Sequence, residues 1–231
     1  MEAAAPVSHT SYPFPPDRAG TQTPEELSEV PERVLLILGA QEAPLGPPTN
    51  GGVPASAALR ASIERVLRHA RAPSADPAPR IIHIRHCGEP GDADAPGADG
   101  WAFVPALAPL AEEYVVDKRA PSAFAGTQLA RLVPRQAEII VVGVQTDFCV
   151  RATCAAALAR GNEVFLIRGA HGTYDRREYA CVENSGKIGR LGARVTPAEM
   201  VVREVEEELE DKGAVVLEMW DVPALFADRD R

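Results

Sequence analysis

The apolar residues of this chain fall into two alternating periods. Short runs with little polar interruption read as buried strands: Val34–Leu38, Arg80–His86, Tyr114–Lys118, Ile139–Val142, Glu163–Arg168 and Ala214–Leu217. Between them the spacing turns helical. Leu59, Ile63, Val66, Leu67 and Ala70 share one face of a helix from Ser56 to about Arg71, and a shorter helix is expected near Gly126–Leu132. Val150, Cys154, Ala157 and Leu158 mark another, entered at a Thr146 or Asp147 cap and closed by Gly161. Thr196-Pro197-Ala198-Glu199 is a capping box with proline at the first helical position. It opens a helix running to Lys212 with Val202, Val205 and Leu209 inward. Residues 169–195 show neither period and read as irregular.

Strands alternating with helices predict an α/β fold, a parallel sheet with helices on both faces. Residues 33–231 read as one domain without internal repeats. Residues 1–32 are rich in Pro, Ser, Thr and Glu and poor in large apolar residues, which predicts a disordered or loosely docked extension. A length of 231 residues suffices for a core without staples, and four cysteines do not make a disulfide framework, so the thiols suit a reducing, cytoplasmic setting. The net charge of −9 argues against nucleic acid and against a polybasic membrane surface. No apolar run reaches the ~20 residues of a membrane span, and no secretory signal opens the chain.

In an open parallel sheet, ligands gather beyond the carboxyl ends of the strands. That edge should carry Gly39-Ala40-Gln41, His86, Lys118, Gln145–Cys149 and Gly169-Ala170-His171. Cys149 would then lie in the first turn of a helix, where free backbone N–H groups and the helix dipole favour a thiolate and can hold an oxyanion. A thiol, a lysine and two histidines on one edge are compatible with nucleophilic catalysis. Cysteine is also a common core residue, and position alone does not separate the two.

Strand one with Gln41, the stretch Lys118-Arg119-Ala120-Pro121-Ser122-Ala123-Phe124-Ala125-Gly126-Thr127, and Gly143-Val144-Gln145-Thr146-Asp147-Phe148-Cys149-Val150 together resemble the isochorismatase-like cysteine hydrolase superfamily. Its members include nicotinamidases, carbamoylsarcosine amidohydrolases and isochorismatases. The resemblance spans about residues 33–175 and implies a Rossmann-like, three-layer α/β/α sandwich with a mainly parallel sheet. It implies Cys149 as nucleophile, Lys118 as its lysine, an oxyanion hole from the N–H groups of Gln145 and Cys149, and a cis Val144–Gln145 peptide. The family's triad aspartate falls on Gly39, which cannot move a proton. A second departure is Gly169, where many relatives carry aspartate.

The resemblance thus implies a hydrolase of a C–N (amide or imide) or ester bond in a small metabolite. The alternative is a catalytically impaired pseudoenzyme serving as a ligand-binding or oligomeric scaffold. Candidate substrate contacts are Gln41, His86, Trp101, Phe124 and His171. The expected partners are a small-molecule substrate and further copies of the chain, a homo-oligomer. No cofactor is expected. Neither is a metal, because the Asp-x-His pair that holds zinc in some relatives reads His83-Ile84-Arg85 here, and His83 and His86 should face opposite sides of their strand.

Overall fold

The computed structural model describes residues 32–180, 183–184, 187–188 and 192–227; the expected extension, apart from Glu32, lies outside them. Strands run β1 (Arg33–Leu38), β2 (Arg80–His86), β3 (Tyr114–Lys118), β4 (Glu138–Val144), β5 (Glu163–Gly172), β6 (Arg176–Ala180), β7 (Glu183–Asn184), β8 (Lys187–Ile188), β9 (Gly192–Thr196) and β10 (Val215–Leu217). Helices are α1 (Glu42–Leu45), α2 (Ser56–Ala70), α3 (Leu129–Leu132), α4 (Arg151–Ala159), α5 (Ala198–Glu210) and α6 (Val222–Leu225). Six strands form one sheet in the order β10-β5-β4-β1-β2-β3, every neighbour parallel.

The continuous apolar runs of β1 and β4 are buried on both faces, as central parallel strands require. Alternate residues feed two cores. Leu36, Leu38, Ile82, Ile84 and Val116 meet Val150, Cys154 and Ala157 of the α4 side and Val205 and Leu209 of α5. On the other face Leu35, Ile37, Ile140 and Val142 meet Leu59, Ile63, Val66 and Leu67 of α2 and Val222 of α6. These are the three layers.

Two expectations fail for the same reason. The described part of residues 169–195 is not irregular: β5 continues to Gly172, and β6 pairs antiparallel with β9, Arg177 opposite Val195 and Glu178 opposite Arg194. All four of these side chains are exposed, so no burial period marks the pairing in the sequence. This hairpin also displaces the capping box. Thr196 ends β9, and the Ala198 N–H at the start of α5 is accepted by Asp175 Oδ1 at 2.9 Å, brought across by the Arg176–Thr196 register. The buried stripe of α5 is Val201, Val205, Glu206 and Leu209, turned one residue from the expected Val202.

His83 on β2 is fully buried and lies 2.8 Å from Glu113 Oε2; Arg71 at the end of α2 forks onto the same carboxylate with two 2.7 Å bonds. The Leu110 N–H adds a fourth bond at 3.0 Å. Burial acts to raise the Glu113 carboxyl, but Arg71, the Leu110 N–H and His83 outweigh it and hold it at about 2, against an ordinary 4.5. Burial lowers His83 below its ordinary 6.5, with Glu113 opposing in part.

Both shifts have the same consequence. Below about pH 6.5 the unfolded chain takes a proton that His83 refuses, and between about 4.5 and 2 the stabilising charge of Glu113 is lost. The denaturant midpoint is therefore expected to fall as pH drops from 7 to 5.5, and again from 4.5 towards 3. A midpoint flat across that range would contradict the assignment.

Candidate active site

From β1 the chain proceeds outward through β2 and β3, and from β4 it proceeds the other way through β5 and β10. The loops leaving β1 and β4 therefore diverge, and a crevice opens between their carboxyl ends. There the two strands close in on each other. A Cβ on Gly143 would stand 1.9 Å from Leu38 O, and one on Gly39 would stand 2.9 Å from Val144 O, with Gly39 at φ +61°. Glycine at 39 therefore fits both the left-handed backbone and the contact with β4. A side chain there would have to displace the Val144 carbonyl.

Beyond Val144 the peptide to Gln145 is cis, and Thr146–Val150 form a single π turn ahead of α4. The Gln145 carbonyl accepts from both Phe148 N–H (3.1 Å) and Val150 N–H (3.0 Å). Cys149 sits in this turn, 7% exposed. Lys118, 3% exposed at the end of β3, donates to Cys149 Sγ at 3.0 Å and to the Ala120 carbonyl at 3.0 Å. With Lys118 held by a carbonyl as well as by the sulfur, the lysine stands beside Cys149 as a hydrogen-bond donor. Burial pushes the thiol of Cys154, farther along in α4, up to about 12.

Thr146 and Asp147 do not cap their own helix. Asp147 Oδ1 accepts from Thr173 Oγ1 at 2.5 Å, and Thr146 Oγ1 lies 3.1 Å from His171 Nδ1. His171 Nε2 stands 3.3 Å from Glu206 Oε1, whose other oxygen accepts from Arg168 Nε at 3.1 Å. Burial acts to raise the Glu206 carboxyl, but His171 and Arg168 hold it below its usual range. The turn that carries Cys149 is thus braced from behind by polar side chains reaching α5.

The other candidates divide. His171 belongs to that brace, with its side chain fully buried. Gln41 is spent on backbone: its Oε1 accepts from His86 N–H (2.8 Å) and its Nε2 donates to the carbonyls of His86 (3.0 Å) and Trp101 (3.2 Å). The Arg85 guanidinium lies 3.6 Å from the Trp101 ring centroid and 5.3 Å from that of Phe103, which packs on the α2 face. That stack anchors the loop, on the side of the sheet away from Cys149. Phe124 carries Arg160 over its ring at 4.7 Å, at the far end of α4 from Cys149. His86 stays at the site: it pairs in register with Lys118, and its Nδ1 lies 2.7 Å from Asp94 Oδ2.

Asp94 and Glu206 carry no signal in the sequence. One lies in a Gly/Asp/Pro loop, the other among the glutamates of α5, and only tertiary contact separates them from their neighbours. A cleft of about 420 Å³ lined by Cys87, Asp117, Lys118, Arg119, Ala120, Ala125 and Gly126 opens beside the lysine. His83 and His86 are spent on separate carboxylates, and among the described residues no three His, Cys, Asp or Glu side chains gather as metal ligands. Nor is any described helix long and apolar enough to cross a membrane.

The sequence model of the isochorismatase domain matches residues 33–199. A streptothricin hydrolase of Streptomyces noursei is 34% identical over 151 residues, covering 64% of this chain and 56% of that protein. The chain thus spans about half the length of this curated relative. Among solved structures, an isochorismatase of Pseudomonas putida is 27% identical with a TM-score of 0.67, over 84% of this chain and 93% of its own. A hydrolase of the isochorismatase family from Chromobacterium violaceum, also 27% identical, superposes with a TM-score of 0.69 over 86% and 95%.

Proposed function

The chain belongs to the isochorismatase family, and from that premise we propose that it is a cysteine hydrolase of a C–N (amide or imide) or ester bond in a small molecule. The observation that carries this reading is the 3.0 Å contact between Lys118 Nζ and Cys149 Sγ, both buried at the switch point of the sheet. Cys149 attacks the carbonyl carbon, Lys118 holds the thiolate by its charge, and the N–H groups of Gln145 and Cys149 receive the oxyanion. The three described cysteines are free thiols, which fits a reducing cytoplasmic location.

Gly39 favours a second reading, a scaffold that binds without turning over, because the backbone there suits glycine and offers no carboxylate. Alkylation separates the two. Cys149 and Cys87 are 7% and 8% exposed, so a difference in their rates reports chemistry and not access. Iodoacetamide near neutral pH is expected to label Cys149 ahead of Cys87, Cys154 and Cys181, read by peptide mass. Labelling of Cys149 no faster than Cys87 would count against an activated nucleophile.

A further inference from the structure

A hydrolase working through Cys149 needs a group that gives a proton to the leaving nitrogen and takes one from water. Lys118 does not suit this, because its ammonium is committed to Sγ and to the Ala120 carbonyl. We propose that His86, oriented by Asp94, is this acid and base. The inference rests on the hydrolase reading above.

Three observations place His86. Strand alternation puts it on the Cys149 face. Ile82 and Ile84 pack in the core that contains Cys149, as does Val116 two residues before Lys118. Arg85 and Asp117, one residue earlier on each strand, pair with each other at 2.7 Å, and the Arg85 guanidinium lies over Trp101 and over Phe103, which packs in the core of the opposite face. Second, His86 and Lys118 are register partners on β2 and β3, and β2 lies between β3 and the β1–β4 crevice. Lys118 must cross the end of β2 to reach Cys149, so His86 stands beside its path.

Third, His86 is held at both ends. Gln41 clamps its backbone N–H and carbonyl, and Asp94 Oδ2 accepts from Nδ1 at 2.7 Å. That bond leaves Nε2 as the working nitrogen, and among the described residues Nε2 has no hydrogen-bond partner. The side chain of His86 is 30% exposed, so water and substrate reach it. A base oriented by a third group is the general arrangement of nucleophilic hydrolysis.

The cycle balances. In acylation the sulfur electron pair forms the S–C bond, the C–N bond breaks, and the His86 imidazolium gives its Nε2 proton to the departing nitrogen. In deacylation neutral Nε2 takes one proton from water as the oxygen bonds the acyl carbon. The S–C bond then breaks with its pair returning to sulfur, and the acid leaves with the other water proton. Asp94 is a positioning residue, fixing the ring and its tautomer.

p-Nitrophenyl acetate separates the steps, because nitrophenolate leaves without a proton. The unaltered chain should show a nitrophenol burst near one equivalent, with acetyl mass on Cys149, followed by steady turnover. His86→Ala should keep the burst and lose about 10²–10⁴-fold in the steady rate, and added imidazole should restore part of it. Asp94→Asn should keep the burst with a smaller loss, and it carries the test should alanine at 86 disturb the strand. Steady rates within threefold of the unaltered chain in both variants, or a slow His86→Ala rate that imidazole leaves unmoved, would overturn the dyad. No burst and no acetyl-Cys149 in the unaltered chain would overturn the hydrolase reading, and the dyad with it.

Discussion

Replacing Cys149 with alanine is expected to lower turnover of any substrate found for this chain by about 10⁴-fold or more, the scale seen when a hydrolytic nucleophile is deleted. The residue is small and only its sulfur is lost, so the surrounding core has little to refill. Lys118 keeps the Ala120 carbonyl as an acceptor, and the brace from Thr146 through His171 to Glu206 does not touch residue 149. The thermal midpoint should therefore stay close to that of the unaltered chain while acylation disappears. Steady-state assay with circular dichroism on the same preparation checks both halves. Equal turnover with and without the sulfur would remove Cys149 from the chemistry.

Arg71→Met is expected to cost about 3–5 kcal/mol of folding stability, the usual result of removing one partner of a buried ion pair. Its partner, Glu113, keeps only 4% of its side chain exposed and takes two of its bonds from the Arg71 fork. Methionine fills much of the volume but leaves the carboxylate with His83 and the Leu110 N–H alone. The Arg71 bond to the Ala108 carbonyl, 2.9 Å, is lost with it. Chemical denaturation at pH 7 reads the effect. A loss under about 1 kcal/mol would put the pair in the class of surface ion pairs. The double variant Arg71→Met with Glu113→Gln should recover part of the loss, because the uncompensated charge is then gone.

Much of the fold is written locally. The runs in β1 and β4 are apolar on both faces, and only a central parallel strand uses such a segment, so the sheet and its helical layers follow from period alone. The turn that carries Cys149 is local in the same way: an apolar strand, a glycine, a polar pair and a cysteine in thirteen consecutive residues, 138–150. Those features bring with them the edge of the sheet at which Cys149 and Lys118 emerge.

Elements whose partners are distant are not legible in this way. Arg177, Glu178, Arg194 and Val195 of the β6–β9 pair are all exposed, so no burial pattern announces it. The start of α5 is set by Asp175, 23 residues upstream, in place of its own capping box. Thr146 and Asp147, good caps by type, turn instead to His171 and Thr173. In each case a hydrogen bond made across the fold competes with the local one and displaces it.

The chemistry divides along the same line. Residue order along the chain determined the fold class, the nucleophile candidate and the edge on which it lies, because each depends on neighbours within a turn or a strand. Tertiary structure decided the rest: that Lys118 reaches Cys149 at 3.0 Å, that glycine fits position 39 against the Val144 carbonyl, and that His86 finds Asp94 while Trp101 and Phe124 go elsewhere. Those outcomes depend on strand register and on which face a side chain takes, and both are set only when the whole sheet is packed.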